Sequence, residues 1–483
     1  MKCIAEETIE EWQQSTDLVV AGFGMAGACA AITAREQGGS VLVVERGSGV
    51  NGTATQAAGH FYLGGGTRPQ LANDIKDSAD EMYHYLHALT PEPEDEKIRL
   101  YCDDSVAHFN WLAAQGIPFN DGFYKRKHVE QPTDECLIWS GNEKVWPYSE
   151  HAKPCPRGHK VAVEGSGGAL AMQCLSEKAL SIGVKITFDT AVSALVQNAD
   201  GRVVGVQCRS FGDILNVRAE KGVLLATGGY VMNKEMLSEY TPDAVFEKFW
   251  PQGGANDDGS GIQLGIAAGG EAIRMERFFA TSPIYPPEQL LKAIAVNKHG
   301  RRFVNEDSYH ARFARACLDQ DDGIAYLICD NAIFARPDFQ MQELIDAWET
   351  IAEMEEGLSL PVGSLASTLE KYNKDADEGE DSGMHKHPDW LQALRDPPFG
   401  ALQCSKGEAT YTGFTLGGLK VSANAEVLTA DNQPIAGLYA AGACASNIAQ
   451  DSNGYSSGTC LGEASYFGRR AGYHVISAHA MSG

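Results

Sequence analysis

The sequence predicts an α/β protein, a Rossmann-like dinucleotide-binding domain into which an α+β capping domain is inserted. Three observations predict it. The run Asp17-Leu18-Val19-Val20-Ala21-Gly22-Phe23-Gly24-Met25-Ala26-Gly27 reads as a buried strand, a glycine turn and a helix start in immediate succession. Two later apolar strands also run into glycine turns, at Gly222 to Gly229 and at Gly437 to Gly442. Between about Gly270 and Ile435 the composition shifts towards Pro, Asn, Asp and Glu, which marks the insert. The expected division is residues 1–270 with 436–483 for the nucleotide domain and 271–435 for the catalytic, capping domain.

Each glycine of the first run has its own task. Gly22 permits the tight turn, Gly24 lets the backbone approach a pyrophosphate, and Gly27 lets the helix pack closely on the strand. The helix N-terminus at Met25 and Ala26 then faces the anion. Helix formers continue to Gln37, Gly38-Gly39 end the helix, and Val41 to Val44 form a second strand closing on Glu45, where a ribose hydroxyl would be bound. Thr53 to Thr67 is rich in Gly and Ala, which suits close approach of backbone to a flat or phosphorylated ligand. Asn73 to Gly116 reads as helical, with Ile75, Ala79, Met82, Tyr83 and Leu86 at helix-like spacing for a core face.

From Gly122 to Pro156 the pattern dissolves into aromatics, prolines and charges, an irregular excursion over the main domain. Gly167-Gly168 opens a helix through Ser181, and Lys185 to Phe188 and Ala191 to Val196 are strands. Arg202 to Val206 and Ile214 to Ala219 alternate like a hairpin, and the strand from Gly222 follows. The acidic stretch Asp375 to Asp381 is expected to be a solvated loop, and the last helix should run from about Cys460 to Ala480.

Composition narrows the function classes. Lys and Arg number 39 against 64 Asp and Glu, so a net charge of -25 opposes binding to nucleic acid or anionic lipid. The 12 cysteines show no C-x-x-C and no paired metal-ligand spacing, so reduced thiols, a cytoplasmic location and no metal are expected. Met1 to Thr16 carries Glu6, Glu7, Glu10 and Glu11 and no apolar core of a secretory signal. No apolar run reaches the ~18 residues of a transmembrane helix.

The first fingerprint alone would serve NAD or FAD. The combination of Gly22-x-Gly24-x-x-Gly27 and Glu45 with Ala226-Thr227-Gly228-Gly229 and Gly437-Leu438-Tyr439-Ala440-Ala441-Gly442 resembles the FAD family of fumarate reductases, aspartate oxidases and 3-ketosteroid dehydrogenases. Asn256-Asp257-Asp258-Gly259-Ser260-Gly261 and Gly300-Arg301-Arg302-Phe303-Val304-Asn305-Glu306 resemble further landmarks of that family, so the likeness spans nearly the whole chain. It implies noncovalent FAD held by Gly22, Gly24, Met25, Ala26, Gly27, Glu45, Arg46, Thr53, Ala54, Gly59, Val192, Ala226, Thr227, Gly228, Asp258, Gly442, Ala443, Thr459 and Leu461. It also implies chemistry across a carbon–carbon bond beside a carbonyl, at the cleft between the lobes.

Fumarate enzymes clamp dicarboxylates with arginines. This chain reads Asp307-Ser308-Tyr309-His310, with Arg312 slightly beyond, and Asn453-Gly454-Tyr455-Ser456-Ser457-Gly458. Tyrosines in place of arginines argue for an uncharged ketone. Tyr455-x-Ser457 and Phe61 to Thr67 resemble the 3-ketosteroid Δ4-(5α)-dehydrogenase branch, which implies that Tyr455 binds the ketone oxygen, Ser457 takes the α proton and Tyr309 relays it towards solvent. The implied partners are a small hydrophobic ketone, a steroid, and an electron acceptor of unspecified kind. The alternatives on the same scaffold are a fumarate-reductase-like enoate reductase with Arg312 as its cation, and a Δ1-specific ketosteroid dehydrogenase. A flavin-binding module without turnover is the alternative from another class. His60 as a flavin attachment point, Arg157 and His159 as substrate ligands or a loop ion pair, and Cys444 and Cys460 as small buried residues complete the candidates.

Overall fold

The computed structural model describes residues 2–477. Nine strands form its largest sheet: β1 (Lys2–Ala5), β2 (Gln14–Ala21), β3 (Val41–Val44), β4 (Lys185–Thr187), β5 (Ala191–Gln197), β6 (Val203–Ser210), β7 (Asp213–Leu225), β8 (Glu426–Leu428) and β9 (Pro434–Ala440). Their order is β1-β5-β6-β7-β2-β3-β4, with β9 paired to both β7 and β8. Leu18, Val19 and Val20 are wholly buried, as are the apolar side chains of β3, because strands inside a parallel sheet are covered on both faces. Each such side chain contributes about 1.5–3 kcal/mol, so a charge at Val20 would be strongly destabilising.

The hairpin and the strand after it, which the sequence separates, form one strand. β7 pairs antiparallel with β6 and runs on parallel to β2, with a register break between Ala219 and Gly222. That irregularity interrupts the alternation from which the pattern is read. The continuous strand carries the turn at Ala226 to Gly228 to the edge of the first glycine turn, where Ala226 N–H donates to the Ala21 carbonyl at 2.8 Å.

The helical span expected over Asn73 to Gly116 resolves into helices Ala79–Leu89, Asp95–Asp103 and Ser105–Ala114. The irregular excursion contains strands Phe123–Tyr124 and Leu137–Ile138, which join His60–Tyr62 and Gly158–Lys160 in a four-stranded sheet. The last helix runs over Thr459–Ser477, and residues 478–480 of the expected span lie outside the described residues. No helix among the described residues is long and apolar enough to cross a membrane.

We propose the two-lobe division on the ground that residues 284–411 carry a core of their own. Leu290, Leu327, Ile328, Met354, Leu365 and Tyr372 belong to it, around an antiparallel sheet of Ile294–Asn297, Ala325–Cys329, Phe399–Gln403 and Leu344–Trp348. β8 belongs to the large sheet, so that sheet takes up chain ahead of residue 436.

The acidic stretch departs from expectation. Asp375 lies in the helix Ser364–Glu378, and both Asp375 and Asp381 are buried. Asp381 pairs with Arg302 at 2.9 Å, Arg302 pairs with Glu306 at 2.7 Å, and Lys386 meets Glu306 at 3.1 Å. Asp381 and Glu306 can leave water because these two cations compensate them, and Asp375 accepts the Ser382 N–H and hydroxyl at 3.1 and 2.9 Å.

Candidate functional site

The nucleotide end is built from the turns that end β2, β3, β7 and β9. Gly22 has φ of +98°, and a Cβ there would collide with the Ala226 carbonyl. A Cβ on Gly27 would collide with the Gly22 carbonyl, whereas around Gly24 there is nothing within 4 Å. Close packing behind and open space in front make the cradle a pyrophosphate needs. Glu45 is fixed from below: its Oε2 accepts the Phe23 N–H at 2.7 Å and its Oε1 the Gly47 N–H at 2.6 Å. Gly442 lies beside Ala26, 3.1 Å from its Cβ if a Cβ were present, and Ala443 next to it is exposed.

The other expected contacts form a second group. Arg46 donates to the Asp258 carboxylate, and Thr53 donates to Asp257 while accepting the Gly254 N–H at 2.7 Å. Burial pushes the Asp257 carboxyl up to about 6, against the pull of the Thr53 hydroxyl. Ala54 and Gly59 pack against Gly168 and Gly167, and Val192 lies in β5 just beyond Thr190, whose N–H reaches the Glu45 carbonyl at 3.0 Å. Thr459 opens the last helix, with Leu461 half-buried after it. Their turn is tied to the strand His60–Tyr62 through the Tyr62 N–H, which donates to the Gly458 carbonyl at 3.0 Å. Asp257 was not singled out, although the Asn256 to Gly261 motif contains it.

Tyr309, Tyr455 and Ser457 come together. Tyr309 precedes the helix His310–Leu318, and Tyr455 and Ser457 sit on the turn before Thr459–Ser477. The Tyr309 Oη and Ser457 Oγ are 2.7 Å apart, and the Tyr309 and Tyr455 ring centres 6.2 Å. Tyr309 and Tyr455 are buried and Ser457 is half-buried. Phe279 packs on Tyr455 at 4.6 Å between ring centres and stacks on Phe414 at 4.6 Å, with Leu416 in the same apolar cluster. These two phenylalanines were not anticipated. They reach the site from neighbouring strands Phe278–Thr281 and Tyr411–Thr415, and only pairing of those strands reveals them.

Burial pushes both phenols well above the usual 10. The hydrogen bond from Ser457 opposes that rise at Tyr309. Near neutral pH both tyrosines are therefore protonated donors. Such a pocket can present O–H groups to a neutral carbonyl oxygen without leaving a charge unpaired.

The remaining candidates have structural partners. Arg157 is fully buried and bidentate to Asp77, at 2.7 and 2.9 Å, so the ion-pair reading applies to it. His159 Nε2 meets the Thr67 hydroxyl at 2.7 Å. His60 Nε2 meets Gln131 Oε1 at 2.8 Å, and burial lowers this imidazole to about 4. Arg312 donates to the Trp146 carbonyl at 2.9 Å and lies 5.2 Å from the Tyr148 ring centre. It lines a cavity of about 360 Å³ together with Trp146, Asn305 and Asn453, outside the apolar cluster of Tyr309 and Tyr455. Cys444 is buried beside Thr227, and Cys460 packs against the Tyr455 cluster.

Known proteins share this fold. A 3-ketosteroid-Δ4-(5α)-dehydrogenase from Rhodococcus jostii RHA1, solved in complex with 4-androstene-3,17-dione, has 37% sequence identity and a TM-score of 0.91, covering 99% of this chain and 100% of that one. A 3-oxo-5-alpha-steroid 4-dehydrogenase from Comamonas testosteroni is 29% identical over 89% of this chain and 93% of its own. A vinyl phenol reductase from Lactiplantibacillus plantarum is 28% identical over 95% and 96%. The family described as FAD binding domain matches residues 17–459, so this chain belongs to that family and is an FAD-binding oxidoreductase.

Proposed function

We propose that this chain is a dehydrogenase that introduces the 4,5 double bond into a 3-keto-5α-steroid. The observation that carries the reading is the 2.7 Å contact of the Tyr309 and Ser457 hydroxyls beside Tyr455, within a wall of Phe279, Phe414 and Leu416. The likeness to the Rhodococcus jostii enzyme over 99% of this chain supports it.

In the proposed reaction Tyr455 donates a hydrogen bond to the 3-keto oxygen and stabilises the enolate that develops as the C4 proton leaves. Ser457 Oγ takes that proton and gives its own to the Tyr309 oxygen, and Tyr309 passes its phenolic proton on towards solvent. A serine is a weak base alone, and its contact with Tyr309 is what drains the proton. FAD, when bound without a covalent link, supplies the acceptor of the hydride from C5. The apolar rings exclude water from the reacting bond and bind the steroid body by burial of its carbon skeleton.

Arg312 stands outside the cluster, held to Trp146 and Tyr148, which weighs against its use as the carboxylate clamp of an enoate reductase. The test is product identification: holoenzyme, 5α-androstane-3,17-dione and an artificial electron acceptor should give the 4-ene-3-one. A 1-ene product would move the reading to the Δ1 branch, and no oxidised steroid at all would refute it.

A further inference from the structure

Tyr309 and Ser457 come from segments 148 residues apart, and a third segment, Ser140 to Glu143, grips both. The Ser140 carbonyl accepts the Ser457 N–H at 2.8 Å. The Asn142 Oδ1 accepts the Tyr309 N–H at 2.8 Å, and its Nδ2 donates at 3.5 Å to the carbonyl of Asn453, two residues before Tyr455. The Asn142 N–H donates to Tyr85 Oη at 2.7 Å, and that oxygen is hydrogen-bonded to Ser456 Oγ at 3.0 Å. Asn142 is fully buried. Gly141 lies so close to the turn that a Cβ there would collide with Ser456 Oγ and Tyr85 Oη.

We propose that Asn142 is a positioning residue that holds the Tyr309 hydroxyl against Ser457, an inference that rests on the dehydrogenase reading above. Tyr309 caps the helix His310–Leu318, so its own N–H faces out of the helix and needs a partner from elsewhere. Asn142 supplies that partner and, with the same amide, reaches the backbone of the facing turn. One buried side chain thus sets the distance between the two ends of the proton path. A rigid bridge matters because displacement of a reacting group by ~1 Å costs about 100-fold in rate.

The experiment follows anaerobic flavin reduction by 5α-androstane-3,17-dione in FAD-loaded wild type, Asn142→Leu, Tyr309→Phe and the double variant. Asn142→Leu should lower the limiting rate by about 10- to 100-fold, with FAD content unchanged and substrate affinity within about threefold. In the Tyr309→Phe background the same substitution should add no further loss, because the hydroxyl it positions is gone. Asn142→Asp retains an oxygen for the Tyr309 N–H but loses the donor to the Asn453 carbonyl, and its rate should fall between those of wild type and Asn142→Leu. Undiminished reduction in Asn142→Leu, losses that multiply in the double variant, or an Asn142→Asp as slow as Asn142→Leu would each overturn the inference. Asn142→Ala carries the same expectation where Asn142→Leu fails to accumulate. If the ketone leaves wild-type flavin oxidised, the dehydrogenase reading falls, and crystal structures of wild type and Asn142→Leu decide the inference separately. Loss of the contact between Tyr309 and Ser457 in the variant supports it, and a contact kept at wild-type length overturns it.

Discussion

Replacing Tyr455 by Phe removes one oxygen from the proposed site and nothing else. The ring packs on Phe279 at 4.6 Å and on Phe414 at 6.0 Å between centres, contacts that a phenylalanine keeps. Burial holds the phenol well above its usual 10, so the group lost is a neutral O–H donor and no buried charge is stranded. Loss of one donor to a developing oxyanion costs about 3–4 kcal/mol, or about 100- to 1,000-fold in the rate of the chemical step. Substrate affinity should change far less, because the donor acts mainly when negative charge develops on the ketone oxygen. The assay is stopped-flow flavin reduction by the 3-ketosteroid under anaerobic conditions, with the FAD content of each preparation measured beforehand. A variant with full FAD content whose limiting rate stays within about threefold of wild type would remove Tyr455 from the oxyanion role.

Three further outcomes are expected. Arg302→Met takes from Asp381 the cation it pairs with and leaves Glu306 with Lys386 alone, and denaturant unfolding should show a loss of about 3–5 kcal/mol. Burial pushes the Glu463 carboxyl up from 4.5 to about 7, against the N–H groups of Ala449 and Ile448, so the folded state holds a proton that the unfolded chain releases. Its contribution is therefore full below the unfolded value and is lost as pH rises through the folded one; Glu463→Gln should be more stable than wild type at about pH 8, by at most about 3 kcal/mol in denaturant unfolding, and converge with it near pH 4. Arg312→Met should leave steroid oxidation within about threefold of wild type, and a loss of about 100-fold would return the enoate reading to consideration.

The nucleotide end was legible because its determinants are contiguous. A strand, three glycines, a helix and an acidic residue follow one another from Asp17 to Glu45, and each is tied to local backbone geometry. The pairing of Tyr309 with Ser457 was not local, and only resemblance to a family brought the two segments together before folding did so. Asn142 carried no signal at all. It sits in the stretch that reads as irregular, and its partner is a backbone N–H 167 residues away. The charge run at Asp375 to Asp381 misled for the same reason, since the cation that draws Asp381 inward is Arg302, 79 residues distant. Periodicity reports which face of an element meets the core. It does not report which distant side chain neutralises a charge or holds a turn.

In the proposed reaction C5 of a 3-keto-5α-steroid gives its hydride directly to the flavin, while Tyr455 holds the ketone and Ser457 and Tyr309 carry the C4 proton away. Anaerobic titration of the oxidised holoenzyme with 5α-androstane-3,17-dione tests it most directly. Bleaching of the flavin absorbance is expected, with one 4-ene-3-one formed per flavin reduced. A flavin that stays oxidised with the steroid, while the chemically reduced enzyme is reoxidised by fumarate or 4-vinylphenol, would contradict it.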